Sequence, residues 1–379
     1  MRPTWAEVSL AALRHNFRSI REHVAPQATV MAVVKADAYG HGAAECARVL
    51  EAEGANWFGV TCTEEGVQLR QAGIRGRTVA LSGFWPGEES ALIEHAITPT
   101  VWDAKQLELL AAAVRRGKQN YAFPVHLKID TGMTRLGASV RELDTVLAAL
   151  RSASGVALEG VLTHLASAEI LDAADCEAQI ACFEAALSRI AALGLSPKYV
   201  HMANSAAIFG RPQTWKNMVR PGLALYGYSL PLICAKREVP PPKPLALKPA
   251  LSWKSRILAL RDVAANQPIS YDGTYVTSAP ARIAVIPVGY ADGLTRQLSS
   301  RGRMMVRNQF APIVGRVTMD LTMLDVTAIS GVEVGDEVIL IGSCGQRSIS
   351  AWEHAELANT IPYEILCNIS KRVPRKYVE

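Results

Sequence analysis

Lys35 is the residue of this chain best placed to act as a nucleophile. It follows an apolar run, Thr29 to Val34, that reads as a buried strand, and a loop broken by Gly40 and Gly42 comes after it. A lysine at a strand terminus is carried on a rigid element and opens into whatever cavity lies above the sheet. Desolvation there favours the neutral amine, which is the nucleophilic form. Such an amine suits a Schiff base with a carbonyl, and pyridoxal phosphate is the commonest carbonyl cofactor held this way. Read alone, the same lysine could cap its strand and point into water.

Further polar residues fall at the ends of later apolar runs. Lys128 and Asp130 close the run at 124–129, and His164 closes 158–163. Asn204 and Ser205 follow 198–202, and Arg220 with Gly222 ends 217–220. Small residues let backbone N–H groups approach an anion, so Ser205 and the backbone around Gly222 suit a phosphate. Singly, each has a plainer reading: Tyr39 and Tyr271 as packing residues, His164 as a satisfied structural histidine, Arg220 as a salt-bridge arginine.

The elements that must position these groups follow a regular order. Ser9 is a helix N-cap, and Leu10, Leu13, Phe17, Ile20 and Val24 make one apolar stripe behind it. Strands are expected at 29–34, 57–61, 78–82, 98–102, 124–129, 158–163, 198–202 and 217–220. Helical stretches at 42–53, 63–72, 103–116, 139–153 and 175–193 separate most of them. Such alternation means βαβ units and a parallel sheet. About eight units in roughly 225 residues match the size of a TIM-type (β/α)8 barrel, whose active sites lie at the C-terminal ends of the strands. A doubly wound open sheet is the alternative, but no GxGxxG follows the first strand. Val239-Pro240-Pro241-Pro242-Lys243-Pro244 then reads as an extended linker. Beyond it, 252–261, 282–288, 303–307, 312–325 and 336–341 read as strands of a smaller all-β domain. The expected division is a barrel at 8–238, a proline-rich linker at 239–251 and a β-rich domain at 252–379.

With 379 residues, the chain exceeds the size at which single cores stop growing, which agrees with two domains. A net charge of +5 is scattered except at Lys371-Arg372 and Arg375-Lys376, so no nucleic-acid partner is expected. The seven cysteines form no CxxC, which points to reduced thiols in a cytosolic protein rather than to disulfides or a zinc site. No metal is expected. MRPTWAEVSL lacks the apolar core of a signal peptide, and no apolar run is long enough to span a bilayer.

The run VVKADAYGHG (33–42) resembles the cofactor-lysine motif of alanine racemases, pyridoxal-phosphate enzymes that interconvert L- and D-alanine. The resemblance continues in the family's order through HLKIDTGMTRLG (126–137), VRPGLALYG (219–227), ISYDGTY (269–275), PVGYADG (287–293), VGRVTMD (314–320) and TIPYEILCNISKRVPR (360–375). It implies a cytoplasmic homodimer with shared active sites, acting on alanine and supplying D-alanine for peptidoglycan or for alanine catabolism. It also implies that residues 1–7 pack on the β-rich domain.

The resemblance implies a role for each motif residue. Lys35 holds the cofactor and serves as one base, for the D-enantiomer. Tyr271, reaching in from the partner subunit, serves as the other, for the L-enantiomer. The hydroxyls of Tyr39 and Tyr363 donate to the phosphate, alongside Asn204, Ser205 and Gly222. His164 lies close to the cofactor ring and is linked to Arg220, which faces the pyridine nitrogen. A guanidinium stays charged at physiological pH, keeps that nitrogen unprotonated and so weakens the ring as an electron sink. Arg135 holds the substrate carboxylate, and Lys128 is the lysine that often carries a carbamate, which would orient Arg135. Met319 borders the substrate, and Tyr290, Arg296, Arg316 and Asp320 line its way in. The chain departs from the family pattern at Thr134, where Asn is common, and at Thr318, where Cys or Ser is common. Serine racemisation stays open as a side activity, and a decarboxylase or dehydratase on a related barrel is the competing enzyme class. A non-catalytic pyridoxal-phosphate carrier is the third reading.

Overall fold

Eight short parallel strands, each ending in a loop that leads to the next helix, form the larger part of the protein. The computed structural model describes residues 2–117, 121–234 and 245–379. Thr29–Val33, Trp57–Val60, Arg77–Ala80, Ile97–Val101, Phe123–Lys128, Val156–Leu162, Tyr199–His201 and Met218–Val219 pair in chain order, and Met218–Val219 returns to pair with the first. Each of the eight barrel strands expected from the sequence is present within a residue or two at each end. The seam between the seventh and eighth strands has no ladder pairing. It is closed by Asn217 N donating to Val200 O (3.4 Å) and Arg220 N donating to Ala203 O (2.9 Å), with the Asn217 side chain accepting from Val200 N at 2.7 Å. The structure is thus a nearly closed (β/α)8 barrel.

Helices Ala43–Ala52, Thr63–Gln71, Ala104–Arg116, Leu143–Ser152 and Ala174–Ala192 cover its strands. The first helix, Leu10–Val24, starts where Ser9 Oγ accepts from Ala12 N, and its stripe of Leu13, Phe17, Ile20 and Val24 is fully buried. Burying each such side chain contributes about 1.5–3 kcal/mol, which fixes the helix face against the strands. Met31, Trp57, Val79 and Met218 form one buried apolar cluster, with Leu81 and Tyr199 packed against it.

The loop after the first strand differs from the expected glycine-broken coil. Ala36, Asp37, Ala38 and Tyr39 all have φ between 51° and 55°, so the chain makes one left-handed helical turn before reaching Gly40. Each L-residue in that conformation costs roughly 1–2 kcal/mol. Surrounding bonds hold it. Ala38 N donates to Val34 O, Asp37 Oδ1 accepts from Ala43 N at 2.7 Å, and Glu65 takes Ala36 N on one oxygen and Thr61 N on the other.

By density of contact the chain divides into two units: one made of Leu13–Ala38 and Ala43–Lys248, the other of the described residues of Met1–Ala12, Tyr39–Gly42 and Pro249–Glu379. The proline-rich segment 239–244 lies outside the described residues. The second unit is mostly β. Its main sheet runs Gln309–Pro312, Arg303–Val306, Glu337–Cys344, Leu251–Arg256, Thr4–Ser9, Arg375–Val378, with Arg347–Ile349 attached to Glu337–Cys344. Thr4–Ser9 is therefore an inner strand of this sheet, antiparallel to one neighbour and parallel to the other.

Three expectations for this unit need correction. It is not all β: Ala351–Ala358 and Pro362–Cys367 are helices, the first capped by Ser350 Oγ and the second begun by Pro362. The expected strand at 312–325 is two strand ends, Gln309–Pro312 and Thr322–Asp325, joined by a loop turning at Gly315. The expected strand at 252–261 is broken at Ile257-Leu258 into Leu251–Arg256 and Ala259–Val263, which belong to different sheets.

Candidate active site

The barrel unit gathers one set of candidate groups at the C-terminal ends of its strands. Lys35 follows the first strand directly. Val33 N donates to Pro221 O and Val34 N to Gly59 O, so both neighbouring strands fix the backbone that carries it. The left-handed turn begins one residue later.

Arg220 is 4% exposed and follows the eighth strand. Nη1 donates to His201 O (2.8 Å) and to His201 Nδ1 (3.0 Å). Nη2 donates to Thr163 O (2.8 Å), Met202 O (3.1 Å) and His164 Nδ1 (3.3 Å). Burial lowers its pKa to about 10, which still leaves it a cation at neutral pH. Because a guanidinium only donates, His164 Nδ1 must accept, and the neutral ring carries its proton on Nε2. Burial, then the charges of Arg220, Arg135, Lys128 and Lys35, hold the His164 pKa well below the usual histidine value.

Lys128 is 6% exposed, and its Nζ donates to Leu81 O at 3.0 Å. Burial and the nearby Arg220, Arg135 and Lys35 bring its pKa down to about 8. Arg135 is exposed on the loop that follows. Asp130 Oδ1 accepts from Gly132 N and Thr134 N, and Gly137 passes so close to Ile129 and Asp130 that a Cβ there would sit 2.4 Å from Asp130 N. Ser205 opens a short helix capped by Asn204, whose Oδ1 accepts from Ala207 N. Ser205 Oγ accepts from Gly222 N (3.0 Å) and Ala224 N (3.3 Å), so its own O–H remains a donor. The Ser205 hydroxyl is thus held as a donor after strands seven and eight, where barrels of this type bind phosphate, while Gly222 N and Ala224 N are engaged by its oxygen.

The mostly-β unit gathers a second set. Tyr271, Tyr290, Arg296, Arg316, Met319 and Asp320 line one cavity of about 490 Å³. Tyr271 is 69% exposed and sits between Ser270 (φ 66°) and Asp272 (φ 62°). Its turn is pinned at both ends. Ser270 Oγ donates to Arg316 O, and the Asp272 carboxylate lies 3.4 Å from the Arg316 guanidinium. Gly289 packs against the carbonyls of Thr318 and Met319 at a distance no Cβ could tolerate, which brings Tyr290 beside Met319. In the same unit the rings of Tyr39 and Tyr363 lie 5.9 Å apart.

Reasoning from sequence passed over His201 and His126. Both are fully buried, and His126 Nδ1 lies 2.9 Å from His201 Nε2. Their signal was a histidine at an inward strand position, easily read as packing. Among the described residues no group of three or more His, Cys, Asp or Glu could hold a metal ion, and no helix is long and apolar enough to cross a membrane.

The comparisons with known proteins agree with this geometry. Residues 8–230 match the family "Alanine racemase, N-terminal domain" and residues 250–377 match "Alanine racemase, C-terminal domain". The chain is 43% identical over 371 residues to the alanine racemase of Syntrophobacter fumaroxidans, covering 98% of this chain and 96% of that protein. Its structure resembles the crystal structure of alanine racemase from D-cycloserine producing Streptomyces lavendulae, with a TM-score of 0.92, 34% identity and coverage of 100% and 98%. It also resembles alanine racemase from Bartonella henselae with covalently bound pyridoxal phosphate, with a TM-score of 0.87, 30% identity and full coverage of both chains.

Proposed function

Because the chain belongs to the alanine racemase family of amino-acid isomerases, we propose that it interconverts L- and D-alanine with pyridoxal phosphate, as a homodimer, by a two-base mechanism. The observation that carries the reading is Arg220, a buried cation at the barrel rim that donates to His164 and His201. The donor set fits the cofactor: an amine at a strand end, the Ser205 hydroxyl for a phosphate, and a fixed guanidinium for the ring nitrogen. Bound there, pyridoxal phosphate withdraws electrons from the substrate and makes its α-proton acidic.

Lys35 holds the cofactor and moves the α-proton on one face, for the D-enantiomer. Tyr271 of the partner subunit moves it on the other face, for the L-enantiomer. Two fixed bases need no side chain to swing across the substrate. Arg220 would hold a permanent positive donor toward the ring nitrogen of the bound cofactor, which would limit how far charge is drawn into the ring. Ser205 would take the phosphate through its hydroxyl, with Gly222 N shared between the phosphate and Ser205 Oγ and the phenols of Tyr39 and Tyr363 as further donors. Arg135 takes the substrate carboxylate through its forked donors. Lys128, made partly neutral near pH 8, is reactive toward carbon dioxide, and a carbamate there would turn a repulsion on Arg135 into an attraction. Met319 and the cavity beside Tyr271 limit the side chain that can enter, which favours alanine over larger substrates. The D-alanine formed serves peptidoglycan, or the reverse reaction serves alanine catabolism in the cytoplasm.

Incubation with L-alanine in deuterated water tests the reading. Loss of the α-proton together with growing D-alanine is the expected result. Release of carbon dioxide would mean a decarboxylase, and the absence of exchange a carrier of the cofactor.

A further inference from the structure

Arg220 is buried among neutral acceptors, so its positive charge needs a counter-charge nearby or relayed to it. The barrel interior contains a route. Arg220 can only donate, so His201 Nδ1 accepts and the neutral ring carries its proton on Nε2. That N–H donates to His126 Nδ1 at 2.9 Å, which in turn puts the His126 proton on Nε2. His126 Nε2 is buried, has no hydrogen-bond partner among the described residues, and lies 3.6 Å from Glu159 Oε2. At that length the contact is electrostatic rather than a full hydrogen bond. Glu159 also accepts from Arg77 Nη2 at 2.6 Å, and the Arg77 guanidinium stacks on Trp57, 4.3 Å from its ring centre. Burial pushes the Glu159 pKa up, but His126 and Arg77 outweigh it and hold the carboxyl below its ordinary range, so it is an anion at neutral pH.

The strands are shaped to bring Glu159 to this place. The fifth and sixth barrel strands pair Val125 with Leu158 and then His126 with Gly160, so Glu159 is the extra residue of a β-bulge. A bulge re-aims the side chain it carries. Gly160 completes the fit, since a Cβ there would lie 2.6 Å from the His126 ring.

We propose that Glu159 is a positioning residue for Arg220, acting through a one-way chain of imidazole tautomers, Arg220 to His201 to His126 to Glu159, that runs inside the barrel. The carboxylate locks the His126 proton on Nε2, which leaves Nδ1 to accept from His201, which in turn leaves His201 Nδ1 to accept from Arg220. The inference rests on the reading of Arg220 as the partner of the cofactor ring.

Histidine ¹⁵N resonances of the cofactor-loaded protein test it, alongside steady-state kinetics. In the wild type both His126 and His201 are expected as neutral, Nε2-protonated rings. Arg220 still imposes both tautomers in Glu159→Leu, but losing the carboxylate should shift the His126 and His201 Nε2–H resonances, lower kcat about tenfold with little change in KM, as expected for lost support of a buried charged donor, and raise the share of transamination. Arg77→Leu is the control for a merely structural role: it removes the Arg77–Glu159 ion pair but keeps the carboxylate, should lower Tm, and should leave the product ratio alone with at most a small shift of the His126 signal. Should Glu159→Leu not fold, Glu159→Gln decides, because it keeps the shape and drops the charge; the His126 Nε2–H signal is expected to move. Unmoved Nε2–H resonances and a wild-type product ratio in Glu159→Leu, an unmoved signal in Glu159→Gln, or equal effects from Arg77→Leu would overturn the proposal. An unchanged cofactor spectrum in Arg220→Lys would instead count against the cofactor reading, and the nitrogen signals would still judge the relay.

Discussion

Arg220 Nη2 donates to His164 Nδ1 at 3.3 Å, and that contact fixes the imidazole proton on Nε2, facing away from the cation. An obligate donor thus sets the tautomer of a ring whose pKa is driven well below its usual value, first by burial and then by Arg220 itself. At Arg220 and His164 the charge state is thus set by the surroundings at neutral pH.

Replacing Arg220 by glutamate should undo this. The ring nitrogen would then face an acceptor and gain a proton, and the ring would draw in more charge. Arg220→Glu is expected to show a new long-wavelength absorption band with alanine and more transamination, both read in a spectrophotometer. A spectrum and product ratio like the wild type would contradict the assignment.

Lys35→Ala should give a colourless protein, and borohydride reduction of the wild type followed by peptide mapping should label Lys35. Label on any other lysine would remove the central assignment.

Tyr271→Phe should act on one direction of the reaction. It removes the phenol while keeping the ring, and loss of a proton-transfer group typically lowers rate roughly 10²–10⁴-fold. Exchange of the α-proton of L-alanine in deuterated water should fall by that order, while exchange from D-alanine persists. Equal rates for both enantiomers would show that the phenol carries no proton.

Lys128 makes stability depend on pH. A lysine titrates near 10.4 when unfolded and about 8 in the folded barrel. Between those values the unfolded chain holds more protons, so stability rises as pH climbs from about 8 to about 10.5, and the penalty is present in full below about 8. Urea unfolding in carbonate-free buffer should show that rise, and Lys128→Met should abolish it, gaining roughly 3 kcal/mol at most near pH 7. Bicarbonate should flatten the wild-type rise by converting the amine to a carbamate. An identical slope with and without bicarbonate, or an unmodified amine in the intact mass, would exclude the carbamate.

Thr134 has φ 54°, a left-handed conformation that a β-branched residue tolerates poorly. Asparagine tolerates it better, so Thr134→Asn should stabilise the protein by about 1 kcal/mol, visible as a higher urea midpoint with kcat little changed. A lower midpoint would mean that the threonine methyl group packs in a way that offsets the strain.

The barrel was legible because each of its strands is a short apolar run ended by a polar or glycine-rich loop, and Lys35, His164 and Arg220 sit at three of those ends. What escaped sequence reading has local physical causes. Ala36-Asp37-Ala38 contains no glycine and only Asp37 tolerates left-handed backbone readily, so its turn is held by the distant Glu65 and by the local bond from Ala43 N to Asp37 Oδ1. The bulge at Glu159 leaves no trace in the alternation of Leu158, Glu159 and Gly160. The segment 313–321 is apolar enough to read as a strand, yet a left-handed Gly315 pressed against Ile269 O turns it into the loop beneath Tyr271. Ala351–Ala358 and Pro362–Cys367 are too short to set a helical period against a β-rich background.

The reversed coil after Lys35 ties the amine to the finished barrel. Four consecutive L-residues wound against their natural hand are unfavourable in a free peptide, so this stretch adopts its shape only once Glu65 and the first strand are in place. The backbone on both sides of the nucleophile is thereby held by neighbours in the barrel: Val33 and Val34 before it, Ala36 after it. A single residue gained or lost between Lys35 and Gly40 would turn the chain that follows by about a hundred degrees, so this short stretch has no slack in its length.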